Sequence, residues 1–128
     1  MERARVKIYR GFSDSLHGLG PCIVLVQDAA GWRPLPRVSH ESAEGWGWGY
    51  GGPGAADLAR SLLADHLGRP VPRAIWVRFV WEVVGRWAQG WRWVYTSADL
   101  DAWLASAQRR GVIPALAPPA AEGEAPPA

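Results

Sequence analysis

The sequence predicts a single small soluble α+β domain, residues 1–113, followed by a disordered Pro/Ala-rich tail, residues 114–128. Three observations predict this class: strand-like apolar runs separated by turn residues come first, helical patterns with start and stop signals follow, and prolines crowd the end. We therefore expect a small antiparallel sheet, made of an N-terminal meander plus one later strand, packed against about three helices.

The first three strands are expected near the N-terminus. Residues 5–12 alternate apolar with basic side chains, and residues 22–27 form a β-branched apolar run of strand length, with a glycine-containing loop at 13–21 between them. Turn residues at 28–31 lead into residues 32–37, which contain two prolines. Because proline has no N–H to donate to a neighbouring strand, these residues are predicted to form an edge strand. Together these segments predict an antiparallel meander.

A helix is expected to start at Pro53, because proline suits the first helical position. Gly68 supplies the stop signal, and two prolines follow it. A helical wheel separates an apolar face, expected in the core, from a polar face, expected in solvent. The apolar face holds Ala55, Leu58, Ala59, Leu62 and Leu63, and the polar face holds Asp57, Arg60, Ser61 and Asp65.

Residues 73–87 are ambiguous, because their Val, Ile, Phe and Trp content favours a strand. The periodicity favours a helix, since Arg78, Glu82 and Arg86 then share one polar edge, whereas a strand would mix them with apolar side chains. Ion pairs Arg78–Glu82 and Glu82–Arg86, at i,i+4 spacing, would support the helix. We therefore predict a nearly buried helix here.

A short strand and a third helix complete the predicted domain. Residues 91–95 predict the strand. Thr96 or Ser97 caps the helix, Asp99 lies in its first turn and Gly111 ends it. The predicted apolar stripe of this helix consists of Leu100, Trp103, Leu104 and Ala107.

Composition narrows the class of protein without assigning a function. The formal net charge of +2 permits contact with nucleic acid or with an acidic protein surface and demands neither. Cys22 is the single cysteine, which excludes an intrachain disulfide and a cysteine-based zinc site. The three histidines are scattered, so we expect no metal and no cofactor. Without a signal-peptide pattern or a membrane span, we expect a cytoplasmic protein.

A stretch of glycines and aromatic residues resembles a known family. Residues 44–59, EGWGWGYGGPGAADLA, resemble the "WGYGGSGPAQLAL" signature of domain of unknown function 6166. Residues 9–11, 79–84 and 93–104 resemble the family's "YRG", "FKWEVVA" and "W-x-L-T…I-x-x-WL" patterns, whereas Pro53-Gly54-Ala55 replaces its Ser-Gly-Pro. The resemblance implies a shared fold, an occurrence in bacteria, phages and plasmids, and no known activity.

The same stretch is the best candidate for a functional site. Its candidate binding residues are Trp46, Trp48, Tyr50, Gly51, Gly52 and Gly54. Converging backbone N–H groups at a helix N-terminus could hold an anion, and the rings could contact a protein. Alternatively, the rings pack inward and the glycines admit a neighbouring backbone. The stretch fits G-x-G-x-x-G, but it lacks the strand–helix–strand context of a dinucleotide site.

We therefore expect a non-catalytic protein-binding or regulatory module, from a mobile element, that docks on a protein partner through this stretch. The alternative is weak binding of nucleic acid by interleaved aromatic and basic side chains. Its candidate residues are Arg86, Trp91, Arg92 and Trp93. A small enzyme or an anion-binding domain is the third alternative, and no catalytic residue is assigned because no serine–histidine–acid set converges in the pattern.

Overall fold

The computed structural model describes residues 6–13, 21–89 and 91–116. The described elements, in chain order, are β1 (Ile8–Ser13), β2 (Cys22–Asp28), β3 (Gly31–Pro34), α1 (Pro53–Leu67), α2 (Arg73–Glu82), a 3₁₀ turn (Val84–Arg86), β4 (Trp93–Thr96) and α3 (Ser97–Arg109). This is the predicted α+β class. Most of the predicted loop at 13–21 and of the predicted tail at 114–128 lies outside the described residues.

The strands form one antiparallel sheet in the order β3-β2-β1-β4. The first three strands make the predicted meander, and β4 pairs with the other edge of β1. Tyr9 illustrates the register, because it lies opposite Val26 on one side and opposite Tyr95 on the other. Pro34 ends the edge strand β3, a position where its missing N–H is tolerated.

Local signals set the ends of α1 and α3. Helix α1 begins at Pro53 and is closed by Gly68, whose φ is 75° and whose N–H donates to the Ala64 carbonyl at 2.8 Å. At the start of α3, the Asp99 N–H donates to Thr96 Oγ1 at 3.1 Å and the Thr96 N–H donates to Asp99 Oδ2 at 3.0 Å. This capping box and the Gly68 stop confirm the predicted helix ends.

The ambiguous segment is helical, as predicted, but its regular helix is shorter. Helix α2 ends at Glu82, because Val83 takes φ −127° and ψ −75° before the 3₁₀ turn. The carbonyl of Val84 accepts the N–H of Gly49 at 3.0 Å. After the end of α2, the chain therefore makes a hydrogen bond to the Gly/Trp stretch instead of continuing as a regular helix.

The polar edge of α2 is rearranged as a result. The predicted Glu82–Arg86 ion pair is wrong, since Arg86 Nε donates to the Trp81 carbonyl at 3.0 Å. The predicted Arg78–Glu82 pair is confirmed at 2.7 Å, and Arg110, just after α3, is the second partner of Glu82 at 2.8 Å. Glu82 thus ties α2 to the end of α3.

The core lies between the sheet and the helices. From the sheet, Tyr9, Val24 and Val26 point into it and are at most 2 % exposed. The helices supply Leu58, Leu62, Ile75, Phe79 and Leu100, all fully buried. The predicted apolar face of α1 is likewise fully buried. On the other face of the sheet, Trp32 and Val94 are exposed.

The polar face predicted for α1 is corrected by the structure. Asp57 and Ser61 are fully buried, and the side chain of Asp65 is only 10 % exposed. The reason is that residues 35–42 lie against this side of α1, where the Val38 N–H donates to Ser61 Oγ at 3.1 Å. A polar stripe expected in solvent is therefore an internal contact.

Candidate protein-binding surface

Trp48, one of the predicted site residues, is a core residue. It is 2 % exposed, and its edge packs against Trp93 with ring centroids 5.7 Å apart. Its indole N–H donates to the carbonyl of Trp91 at 3.0 Å, and the next residue, Gly49, donates its N–H to Val84. Trp48 therefore anchors the Gly/Trp stretch, and its ring is not available to a partner.

Backbone geometry favours glycine at three positions of the stretch, and at Gly45 the reason is a φ of +95°. Gly49 has a φ of +84°, and a Cβ there would lie 2.7 Å from a neighbouring backbone. A Cβ at Gly54 would lie 2.9 Å from the backbone of Gly45 and Gly47. By contrast, Gly51 faces open space. Close approach of backbone thus accounts for part of the glycine pattern and leaves Gly51 at the surface.

The other two aromatic rings differ in exposure. Trp46 is partly buried, with the guanidinium of Arg37 5.1 Å from its ring centroid. Tyr50 keeps 43 % of its surface exposed. Of the three rings predicted for the site, Tyr50 is the most exposed.

Beside Tyr50, α2 carries a tryptophan that is 71 % exposed, Trp81. Trp81 is a shared wall of two surface hollows of about 220 and about 480 Å³. We call this surface the Trp81 face. The smaller hollow is lined by Tyr50, Gly51, Val80, Trp81 and Gly85, and the larger by Arg73, Ala74, Val77, Arg78, Trp81 and Val112.

The prediction that helix α2 is nearly buried is wrong, and sequence reasoning therefore missed the role of Trp81, although a signal was present. The apolar side of α2 that faces the core contains Ile75 and Phe79. Val77 and Trp81 form a second apolar pair, at i,i+4 spacing, on a different side of the helix. When a short helix is apolar on two sides and only one side packs against the core, the second apolar side is left at the surface.

The charges around the Trp81 face are mainly positive. Glu82 is engaged by Arg78 and Arg110, and it also accepts the indole N–H of Trp103 at 3.0 Å. Arg73 lies over Trp76, and Arg86 donates to a carbonyl. Within the described residues, neither Arg73 nor Arg86 has a carboxylate partner, so both leave positive charge at this surface.

Replacing Glu82 with glutamine is expected to lower stability at neutral pH and to have a smaller effect in acid. Hydrogen bonding by Arg110, the largest cause, outweighs desolvation and, with Arg78 and Trp103, lowers the pKa of Glu82 from 4.5 to about 2. Because the folded-state pKa is depressed, the stabilisation is complete above about pH 5 and fades as the pH falls toward about 2. Urea midpoints of wild type and Glu82→Gln should converge over this range, and an unchanging gap would contradict the assignment.

Of the four residues predicted for nucleic-acid binding, one is buried and three are exposed. Trp93 is 7 % exposed and stacks on Trp87, with ring centroids 4.3 Å apart and an interplanar angle of 25°. Trp91 is 72 % exposed, and Arg86 and Arg92 are exposed as well. One of the two predicted rings is thus part of the core, and the other is at the surface.

Asp57 forms a buried polar centre that sequence reasoning missed. Its carboxylate accepts hydrogen bonds from Ser39 Oγ at 2.6 Å, from the N–H groups of Glu41 and Ser42 at 3.0 and 2.9 Å, and from Arg37 at 2.8 Å. Burial acts to raise the pKa of Asp57, but these hydrogen bonds outweigh it, so the pKa is lowered. All these contacts hold residues 37–42 against α1, which indicates a structural role.

Asp65 makes a second such centre, between α1 and the sheet. It accepts hydrogen bonds from the Tyr9 hydroxyl at 2.8 Å, from Lys7 Nζ at 3.2 Å and from Arg33 at 3.1 Å. The signal for both centres was the spacing of Asp57, Ser61 and Asp65, which recur every fourth residue along one side of α1. All three of these side chains are short, so a neighbouring segment can enclose them.

Other chemistry has little support in the described part of the chain. No group of three or more His, Cys, Asp or Glu side chains there could hold a metal ion. Cys22 is partly buried, and burial raises the pKa of its thiol. Among the described helices, none has the length and apolar character needed to cross a lipid bilayer.

Together, these observations define a two-layer α+β protein with a buried aromatic cluster and an exposed aromatic face on α2. The chain belongs to the family of unknown function DUF6166, whose model matches residues 13–106. This match confirms the family suggested by the Gly/Trp stretch. No curated protein and no solved structure matches the chain.

Proposed function

We propose that this chain is a non-catalytic protein-binding module that docks its partner on the Trp81 face. The observation that carries the proposal is the exposure of Trp81, 71 %, between two hollows. Tryptophan is enriched among the residues that dominate the energy of protein interfaces, especially where pockets surround it. A ring that contributes nothing to the core and stands beside two hollows fits this role.

The proposal keeps part of the Gly/Trp stretch as binding residues and gives the rest a supporting role. Tyr50 and Gly51 line the smaller hollow, so they would contact the partner directly. Trp48 would act from behind, by fixing the stretch to the core. Trp46 lies under Arg37 and would also be a supporting residue.

The chemistry of the Trp81 face specifies the kind of partner. The larger hollow, about 480 Å³, is lined by Ala74, Val77 and Val112 together with basic side chains, and so suits a bulky apolar side chain. Arg73 and Arg86 have no carboxylate partner among the described residues and would attract acidic groups. The partner is therefore a protein segment with an apolar anchor flanked by aspartate or glutamate.

Replacing Trp81 with alanine is expected to remove this binding without unfolding the protein. Peptides would be selected from a random library displayed on phage, using the full-length chain as bait, and their affinities measured by fluorescence anisotropy. The loss for Trp81→Ala should be at least about 2 kcal/mol, or roughly 30-fold, as for an interface hot spot. Stability should change by no more than about 0.5 kcal/mol, because the ring is exposed.

Trp91→Ala is the matched control, since Trp91 is also exposed, 72 %, but lines neither hollow. It should leave peptide affinity unchanged. Selected peptides should contain an apolar residue with acidic neighbours. Equal binding by the Trp81→Ala variant, or selection of peptides that depend on Trp91, would contradict the proposal.

A further inference from the structure

The sheet has a second face that no described helix covers. Because side chains alternate along a strand, the neighbours of the buried residues Tyr9, Val24 and Val26 point to this outer side. The register places Val94, Arg10, Leu25 and Pro34 side by side across all four strands. Arg10 and Val94 are exposed, and Leu25 is partly buried.

An aromatic ring and a guanidinium group meet on this outer face. Trp32 of β3 is 49 % exposed, and the guanidinium carbon of Arg10 lies 5.2 Å from its ring centroid. Arg10 belongs to β1, so its side chain extends across β2 to reach the ring. The contact holds both groups at the surface, with one side of the indole against the arginine.

The outer face carries positive charge without a matching carboxylate. The described strands contain one acidic residue, Asp28, which pairs with Arg33. Arg10 makes no ion pair among the described residues, and Arg92, exposed just before β4, makes none there either. Anionic ligands are therefore favoured at this face.

We propose that the outer face of the sheet binds single-stranded nucleic acid, with Trp32 as the stacking platform and Arg10 and Arg92 as phosphate contacts. Bases of any sequence present a π-face, and aromatic side chains with basic neighbours hold them without reading sequence. The apolar side chains on either side of Arg10, Leu25 of β2 and Val94 of β4, would contact bases and sugars. This site is separate from the Trp81 face, which lies on α2.

A second copy of the chain suits this surface less well. A twofold contact between two outer faces would bring the same patch of both copies together, with residues near the axis beside their own symmetry mates. In a contact centred on the sheet, Arg10 would lie close to its symmetry mate, and the one carboxylate on the described strands, Asp28, already pairs with Arg33. Like charges in that position destabilise the contact, whereas a phosphate backbone neutralises them.

Removing the Trp32 ring is the direct test. The probe is a fluorescently labelled, mixed-sequence DNA strand of about 12 nucleotides, within the range of known single-strand sites. We expect Trp32→Ala to weaken binding about 5- to 100-fold, and Trp32→Phe, which keeps a stacking ring, to stay within a few-fold of wild type. Trp81→Ala, on α2, and Trp91→Ala, an exposed ring that is not part of the proposed platform, are the controls and should bind as wild type does.

The electrostatic part is tested by salt dependence. Two phosphate contacts predict a slope of log K against log salt of about −1.4, and Arg10→Gln should reduce its size by about 0.7. Arg10→Gln also serves as the second variant if Trp32→Ala proves unstable in thermal unfolding.

Four results would overturn the proposal. They are absence of binding by the wild type at low salt, equal binding by wild type and Trp32→Ala, a loss caused by Trp91→Ala instead, and a Trp32-dependent dimer in sedimentation. The third result would place nucleic acid at the edge near Trp91, and the fourth would assign the outer face to a second copy of the chain.

Discussion

Replacing Asp57 with alanine is expected to destabilise the protein by about 3–5 kcal/mol, the range found when one partner of a buried ion pair is removed. The carboxylate of Asp57 is fully buried and satisfies Arg37, the Ser39 hydroxyl and two backbone N–H groups. Without it, these donors lose their acceptor in an enclosed space, and residues 37–42 lose their attachment to α1. Urea unfolding followed by tryptophan fluorescence measures the loss.

The matched control is Asp101→Ala. The Asp101 side chain is 71 % exposed and binds one partner, His66, at 2.6 Å. Because the carboxylate itself is exposed to solvent, the pair contributes no more than about 1 kcal/mol, so the control should remain close to wild type. Similar losses for the two variants would show that Asp57 does not organise the segment.

The same carboxylate predicts how stability depends on pH. The pKa of Asp57 is lowered, since hydrogen bonds from Ser39, Ser42 and Glu41 outweigh the opposite effect of burial. Its contribution is therefore complete above the unfolded-state pKa of about 3.9 and is lost as the pH falls below that value. Asp57→Ala should accordingly lose part of the acid sensitivity of the wild type.

Replacing Trp48 with alanine is expected to destabilise the protein by about 3–5 kcal/mol, as for other large aromatic residues removed from a core. The ring is 2 % exposed, packs edge-on against Trp93 and donates a hydrogen bond to the Trp91 carbonyl. Its removal leaves a cavity and releases the Gly/Trp stretch from the segment before β4. Urea unfolding at pH 7 measures this loss.

Trp81→Ala provides the comparison for Trp48→Ala, since the same side chain is removed from the surface in one variant and from the core in the other. Trp81 is 71 % exposed, so its loss should change stability by no more than about 0.5 kcal/mol. A large destabilisation by Trp81→Ala, together with a small one by Trp48→Ala, would reverse the assignment of core and contact residues.

The parts of the fold that local sequence signals specify could be predicted. Pro53 and Gly68 mark the ends of α1, and the Thr96–Asp99 capping box marks the start of α3. Periodicity identified α2 as a helix in spite of its strand-favouring composition, because it separated Arg78 and Glu82 from the apolar residues. These signals act within a few residues, so no knowledge of the tertiary structure is needed to use them.

The remaining features depend on contacts between distant segments. Asp57 and Ser61 have the wheel position of exposed residues, and only residues 35–42, lying over them, make them internal. The nine tryptophans pose the same problem, since composition cannot distinguish the buried Trp48 and Trp93 from the exposed Trp81. Which rings form a candidate site is therefore decided by the packing of the whole domain.

The central claim, that the Trp81 face binds a protein segment, is tested most directly by the side-chain indole N–H signals in a ¹⁵N–¹H NMR spectrum. The protein has nine tryptophans, and each signal can be assigned with a Trp→Phe variant. On titration with a library-selected peptide, we expect the Trp81 signal to shift in a saturable way while the signals of Trp32 and Trp91 stay in place. A saturable shift of Trp32 or Trp91 with an unmoved Trp81 signal would contradict the account.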